Sequence, residues 1–336
     1  YLINDRRQVM KKILFLTTGG TIASSESEEG LVPSLTSSEL LGYLGTHQQE
    51  ALVECEDLLH LDSSNVQPEE WILIARRIAK AIKDYDGIVV THGTDTLAYT
   101  ASALSFMLEN LPVPVIMTGS QLPLEHPLSD GVDNIRCSFV SSTSGWLERC
   151  ICMFNRQLIL GTRAVKVRTM NLNAFESVNV EPAAILNAKG MEFHEDLLIR
   201  SKKEFHLADT LCKKVFLLKL TPGLNPEIFD MLSYMGYKGI VIEAFGAGGM
   251  HFERRDLVSK LEEMAKQGIS VVACSQCLYE HSDFTIYQTG QKVLQQGVIP
   301  AWDMTSEAAL AKLMWALGKT TDREEVKKLF ETNFCE

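Results

Sequence analysis

Three short runs near the start of the chain, Ile13-Leu14-Phe15-Leu16, Ile88-Val89-Val90 and Val113 to Met117, are apolar from end to end. Each runs straight into small hydroxyl and glycine residues: Thr17-Thr18-Gly19-Gly20-Thr21, Thr91-His92-Gly93-Thr94-Asp95-Thr96 and Thr118-Gly119-Ser120-Gln121. A strand without a polar side has to be covered on both faces. Such strands, alternating with polar loops and helices, build a parallel sheet. Ligands of these sheets bind outside the carboxyl ends of the strands, so the loops that start at Thr18, Asp62 and Thr91 are expected along one edge.

The intervening segments fit this scheme. Ala51 to Leu61 contains a strand that ends in Asp62-Ser63-Ser64-Asn65. Pro68-Glu69-Glu70-Trp71 opens a helix with proline and acids in its first turn, as the helix dipole prefers, and its apolar face runs through Trp71, Ile74, Ala75, Ile78 and Ile82. Ala98 to Leu108 is apolar almost all round and reads as a deeply buried helix. Ile151 to Asn155 and Leu158 to Gly161 read as a hairpin around Arg156-Gln157, which leads to Arg163-Ala164-Val165-Lys166-Val167. Val215 to Leu220, Gly239 to Ile242 and Ile269 to Ala273 are three more buried strands, and a helix from Ser306 to Gly318 closes the chain.

The expected fold class is α/β with two α/β domains: a larger N-terminal one with a mostly parallel sheet and helices on both faces, and a smaller C-terminal parallel-sheet domain. Residues 10–190 form the first and carry the site, 191–212 is a charged, non-periodic linker, and 213–336 forms the second. Tyr1 to Val9 is expected to be a disordered extension or remnant ahead of a natural start at Met10.

With 336 residues, 46% of them hydrophobic, the chain can fill a core of this size. Its net charge of −11 argues against nucleic acid or an anionic membrane as partner, and no apolar run is long enough to cross a bilayer. The first nine residues lack the apolar segment of a signal peptide. Cys150-Ile-Cys152 and Cys274-Ser-Gln-Cys277 offer four thiolates to a zinc ion, but both pairs lie in apolar, strand-like surroundings. Buried thiols acting as small hydrophobes are the expectation, which fits a reducing cytoplasm.

Several local patterns allow two readings. A strand, a Gly-Gly turn and Thr21 place a potential nucleophile beside unobstructed backbone N–H groups, while the same turn serves phosphate binding or simple chain reversal. Asp62 and Ser63 could bind a ligand or cap the following turn. Lys166 could snorkel to the surface or, brought to Asp95, serve as a desolvated amine. Ser24 to Gly30 could be a mobile loop over Thr21 or a solvated linker.

Thr18-Gly19-Gly20-Thr21-Ile22 followed by Thr91-His92-Gly93-Thr94-Asp95-Thr96 resembles the paired signature of the bacterial-type L-asparaginase/glutaminase family. The likeness extends through Asp62-Ser63-Ser64, the helix after Ala98 and Thr118-Gly119-Ser120-Gln121, covers nearly all of the chain from Met10, and is greatest to the cytoplasmic type I branch. It implies an amidohydrolase that converts L-asparagine, and more slowly L-glutamine, to the acid and ammonia without metal or cofactor. Thr21 would be the nucleophile, and Thr94, Asp95 and Lys166 the proton-handling group. Ser63 would hold the substrate's α-carboxylate and Asp95 its α-ammonium. Asp62, Gly20 and Gly93 would complete the binding site, with backbone N–H groups of the glycine loops as oxyanion donors. A homodimer or homotetramer is implied. Two other readings share these motifs. One is an ammonia-supplying amidotransferase subunit, which usually has a further N-terminal domain for which Thr21 lies too near the start. The other is a non-catalytic amino-acid-binding homologue.

Three positions depart from the family pattern. Leu31 stands where type I members carry a lid tyrosine, so Tyr279, Tyr287 or Lys166 acting through Thr94 would have to take its place. Gly249 stands where relatives have an asparagine that reaches a neighbouring subunit's site. Glu243 replaces an arginine of the effector pocket of the allosteric type I enzyme, which implies hyperbolic kinetics.

Overall fold

The computed structural model describes residues 10–27, 30–33, 37–145, 147–197 and 203–333; for 23–27, 30–33, 37, 38, 48 and 195 the description covers the backbone alone. The extension 1–9 lies outside the described residues.

The larger domain is built on an 8-stranded sheet. From one edge it runs Leu52–Leu61, Lys12–Gly19, Gly87–Thr91, Val115–Thr118 and Cys150–Phe154, all parallel, and continues through Gln157–Leu160, Ala184–Asn187 and Gly190–Phe193, each antiparallel to its neighbour. The apolar runs predicted to be covered on both faces are so covered. Leu14, Leu16, Ile88 and Val90 point into one core, and Ile13, Phe15 and Val89 into the other. Helices Pro68–Ala81 and Leu97–Met107 pack on the first face, and Gly131–Thr143 on the second. The mostly parallel two-domain α/β architecture is therefore as expected.

The predicted hairpin forms, with its turn one residue earlier than expected. Asn155 and Arg156 both have positive φ, 47° and 63°, the combination that suits a two-residue turn between right-twisted strands. Ser24–Ser27 and Gly30–Pro33, read as a loop, pair as an antiparallel hairpin with Glu26 opposite Leu31. Gly190–Phe193 extends the sheet to residue 193, and His206–Leu207 pairs with Leu108–Glu109, so the charged stretch between the domains is anchored on the first.

The second domain has four parallel strands in sequence order, Val215–Lys219, Gly239–Ala244, Ser270–Ser275 and Ile299–Pro300. Its helix Ser306–Lys319 is not the last element as expected, since Asp322 caps a further helix, Arg323–Glu331. Ser306–Lys319 lies against Leu97–Met107 of the first domain, where Phe106 and Trp315 have ring centroids 5.9 Å apart. Val241, Val272 and Leu313 belong to the same apolar cluster as Leu104 and Met107, so the two domains share a core. Cys150, Cys152 and Cys274 are buried in strands, where burial raises their thiols, Cys150 to about 12 and Cys274 to about 11. Cys277, expected to be buried, is exposed because the strand has already ended at Ser275. Among the described residues no helix is long and apolar enough to cross a membrane.

Candidate active site

Backbone packing brings three of the strand-end loops together. Gly19 and Gly20 have φ of 100° and 82°, which turns the chain sharply after its strand, and the Gly20 N–H donates to Leu61 O at 3.0 Å. A Cβ on Gly20 would lie 2.4 Å from the Cα and N of Gly93, and one on Gly93 2.6 Å from Ser63 Oγ. The first and third loops therefore touch backbone to backbone, and Ser63 of the second closes on the same spot. Side chains tie the loops further: Thr18 Oγ1 donates to Thr91 O at 2.8 Å, and Thr96 Oγ1 to Ser63 O at 2.7 Å. Thr21, the residue after Gly20, opens a short 3-10 turn and is half-buried; Ile22 beside it is fully buried.

Lys166 ends the strand Ala164–Lys166, which pairs with Phe175–Ser177 and carries the side chain to the third loop. Its Nζ donates to Thr94 Oγ1 at 2.8 Å and to Asp95 Oδ1 at 2.6 Å. Thr94 is buried, the Lys166 side chain is 18% exposed and that of Asp95 65%. The amine thus bridges a buried hydroxyl and a carboxylate open to solvent, and the snorkelling alternative for Lys166 falls. Of the expected site residues, Gly20, Gly93, Ser63, Thr94, Asp95 and Lys166 are brought together, with Thr21 adjoining Gly20. Asp62 is exposed, and its carboxylate accepts from the Ser64 N–H at 2.8 Å and from the Ser64 hydroxyl, which caps the turn Ser63–Asn65. It caps the turn that carries Ser63 and, among the described residues, has no observed contact with the other loops.

Two residues of the motifs that had no assigned role join the site. Gln121 Oε1 accepts from Thr94 Oγ1 at 3.2 Å, while its Nε2 donates to Thr169 O at 3.0 Å and Asn171 O at 3.3 Å. Gln121 therefore links Thr94 to the chain just beyond Lys166. It is legible in retrospect, because it follows the end of a fourth strand on the same sheet edge. Its loop is held by Asp130, whose carboxylate accepts from the N–H groups of Gln121 and Leu122 at 3.1 Å; burial nevertheless raises the pKa of that carboxyl. The second is His92, fully buried beneath Gly93, where desolvation pushes its pKa down to about 4 and leaves it neutral.

The Leu31 side chain lies outside the described residues. Tyr279 gives its hydroxyl to Glu176, and Tyr287 stands 62% exposed before the helix Gln288–Gln295. The loop that carries Gly249 closes on itself, with Phe245 and Gly249 exchanging backbone hydrogen bonds at 3.0 and 2.7 Å.

Hydroxyls, an amine, a carboxylate and glycine-lined backbone at the carboxyl edge of a parallel sheet are groups suited to a hydrolase. Comparison with known proteins narrows the class. Residues 12–198 match the asparaginase N-terminal domain and residues 214–330 the glutaminase/asparaginase C-terminal domain. The chain is 42% identical over 330 residues to the L-asparaginase of Thermococcus kodakarensis, covering 96% of this chain and 98% of that one. The solved structure of the thermostable L-asparaginase from that organism superposes with a TM-score of 0.91 over 96% of this chain and 98% of that chain. L-asparaginase I from Vibrio cholerae superposes at 0.85 with 31% identity, over 97% of this chain and 98% of that one. A glutamyl-tRNA(Gln) amidotransferase subunit from Pyrococcus abyssi is 40% identical over 337 residues, which span 97% of this chain and 76% of that protein. The chain belongs to the asparaginase family.

Proposed function

We propose that this chain hydrolyses the side-chain amide of L-asparagine to L-aspartate and ammonia through an ester on Thr21. The observation that carries the proposal is the Lys166 amine, hydrogen-bonded at once to Thr94 and Asp95, beside the Gly20–Gly93 contact that positions Thr21. Thr21 Oγ adds to the amide carbon, and its proton passes to the Thr94–Lys166 pair. Backbone N–H groups of the glycine loops receive the oxyanion. Collapse of the tetrahedral species breaks the C–N bond, with a proton delivered to the leaving nitrogen so that ammonia departs. Water, oriented by Thr94, then cleaves the ester, restores the Thr21 hydroxyl and releases aspartate. Ser63 holds the substrate's α-carboxylate and Asp95 its α-ammonium; Asp62 acts by fixing Ser63. L-Glutamine is the slower substrate. One methylene is worth about 1–3 kcal/mol of discrimination in such a site.

The test is ammonia release by the purified chain alone from asparagine and from glutamine, beside Thr21→Ala. Wild type should release ammonia from asparagine, and Thr21→Ala should fall by at least about a thousandfold, because it removes the nucleophile itself. The similarity to a tRNA-dependent amidotransferase component supports a second reading, supply of ammonia to a partner enzyme. Release only in the presence of a partner would favour it, and binding of asparagine without turnover would favour a non-catalytic homologue. A homo-oligomer working in the cytoplasm completes the proposal.

The same reading extends to regulation. Glu243 Oε1 accepts from Ser306 Oγ at 2.6 Å, and Oε2 lies 3.4 Å from Lys219 Nζ. Burial and then the carboxylates Glu307 and Glu243 push the Tyr99 phenol, on the helix that follows the Thr94 loop, up to about 12. A carboxylate at position 243 repels the carboxylate of an amino-acid effector. Initial rates against asparagine should be hyperbolic, and a sigmoidal curve would overturn this assignment.

A further inference from the structure

His92 has no part in the proton route described above, yet it is fully buried directly under the catalytic loop. Its hydrogen bonds have a direction that can be read from one end. Trp71 Nε1 can only donate, and it donates to Thr100 Oγ1 at 3.0 Å. The Thr100 hydroxyl lies 3.0 Å from His92 Nε2, and His92 Nδ1 lies 2.7 Å from Gly93 O. A carbonyl oxygen cannot donate, so Nδ1 carries the proton and gives it to Gly93. The neutral ring then accepts at Nε2 from Thr100, whose oxygen already receives the indole proton.

The Gly93 carbonyl is thereby held toward the core. None of the described peptide bonds is cis, so the N–H of the same peptide unit, which belongs to Thr94, points the opposite way, away from His92. Gly93 has room for this only without a side chain, since a Cβ there would strike Ser63 and Gly20. We infer that His92 is a positioning residue that sets the plane of the Gly93–Thr94 peptide, so that the Thr94 N–H faces the oxygen on which negative charge develops. The inference rests on the hydrolase reading and adds to it the chain Trp71, Thr100, His92, Gly93 as the support of one oxyanion donor. The ring acts by hydrogen bonding and takes no proton from substrate.

Three variants test it. His92→Leu removes the donor to Gly93. His92→Asn places an amide N–H near the position of Nδ1 and keeps that donor. His92→Gln reaches the position of Nε2, keeping the Thr100 contact while losing the Gly93 one. Loss of a whole oxyanion donor costs about 10²–10³ in kcat, so a misaimed one should cost about ten- to a hundredfold. The expected result is that fall in kcat for His92→Leu and His92→Gln, with KM for asparagine within about threefold of wild type, and recovery of most of kcat in His92→Asn. A wild-type kcat in His92→Gln, a loss in His92→Asn equal to that in His92→Leu, or a loss confined to KM would overturn the inference. If His92→Leu does not fold, the contrast between Asn and Gln decides. Failure of wild type to hydrolyse asparagine would instead remove the hydrolase reading and is seen in the same assay.

Discussion

Lys166→Met is expected to lower kcat for asparagine by about 10³-fold, within the 10²–10⁴ that a positioned proton-transfer group contributes. Methionine matches the length of the lysine stem but leaves Thr94 without the donor at 2.8 Å and Asp95 without the one at 2.6 Å. The loss of stability should be small, because the Asp95 side chain is 65% exposed and water replaces its partner. Ion pairs of that kind are worth at most about 1 kcal/mol. Activity should therefore collapse while the melting temperature barely moves. Asp95→Asn should behave differently: it weakens Lys166 and also removes the anion proposed to hold the substrate's ammonium, so KM should rise while kcat falls. Steady-state kinetics and a thermal melt on the two variants make the distinction. A Lys166→Met enzyme that keeps more than a tenth of the wild-type kcat would remove Lys166 from the proton route.

The second large effect is expected of Gly20→Ala, and there it falls on folding as well as on activity. The added Cβ would sit 2.4 Å from Gly93 backbone atoms, which cannot rotate away as a flexible side chain would, and the φ of 82° is strained for any L-residue. Overpacking and backbone strain together should cost about 3 kcal/mol or more, a drop of roughly 6–12 °C in melting temperature at the scale of these domains. Whatever folds should have lost most of its turnover, because the two loops can no longer touch and Thr21 moves with the first. Gly42→Ala is the control. No atom lies within 4 Å of the Cβ it would carry, and its stability should stay within about 0.5 kcal/mol of wild type. Equal melting temperatures for the two variants would show that the close approach of the loops is not what fixes the site.

Much of the fold could be read because its strands are apolar on both sides. Ile13 to Leu16 and Ile88 to Val90, short and followed at once by glycine-containing loops, fit a sheet interior, and the rule that ligands gather at the strands' carboxyl ends then brings Thr18, Ser63 and Thr94 to one edge. Edge elements were harder to read. Gly190–Phe193 alternates exposed and half-buried residues, so its charge and polarity suggest a linker although its backbone pairs along one side with Ala184–Asn187. Cys277 looked like part of an apolar strand because nothing local marks where pairing stops. The site was legible in parts. Thr94 and Asp95 stand in a loop that declares itself, whereas Lys166 sits on a strand of three residues whose partner, Phe175–Ser177, no local pattern reveals. Only the resemblance between motifs assigned it. His92 and Gln121 were in view but carried no role, since their meaning lies in hydrogen bonds to Gly93, Thr100 and Thr169 that no spacing predicts.

The packing of Leu97–Met107 against Ser306–Lys319 has one more consequence. The helix whose first turn follows Thr94, Asp95 and Thr96 is clamped at its far end by the other half of the molecule. The Thr94 loop is thus mounted on a beam with two foundations, one of them in a domain that supplies none of the groups proposed for the reaction.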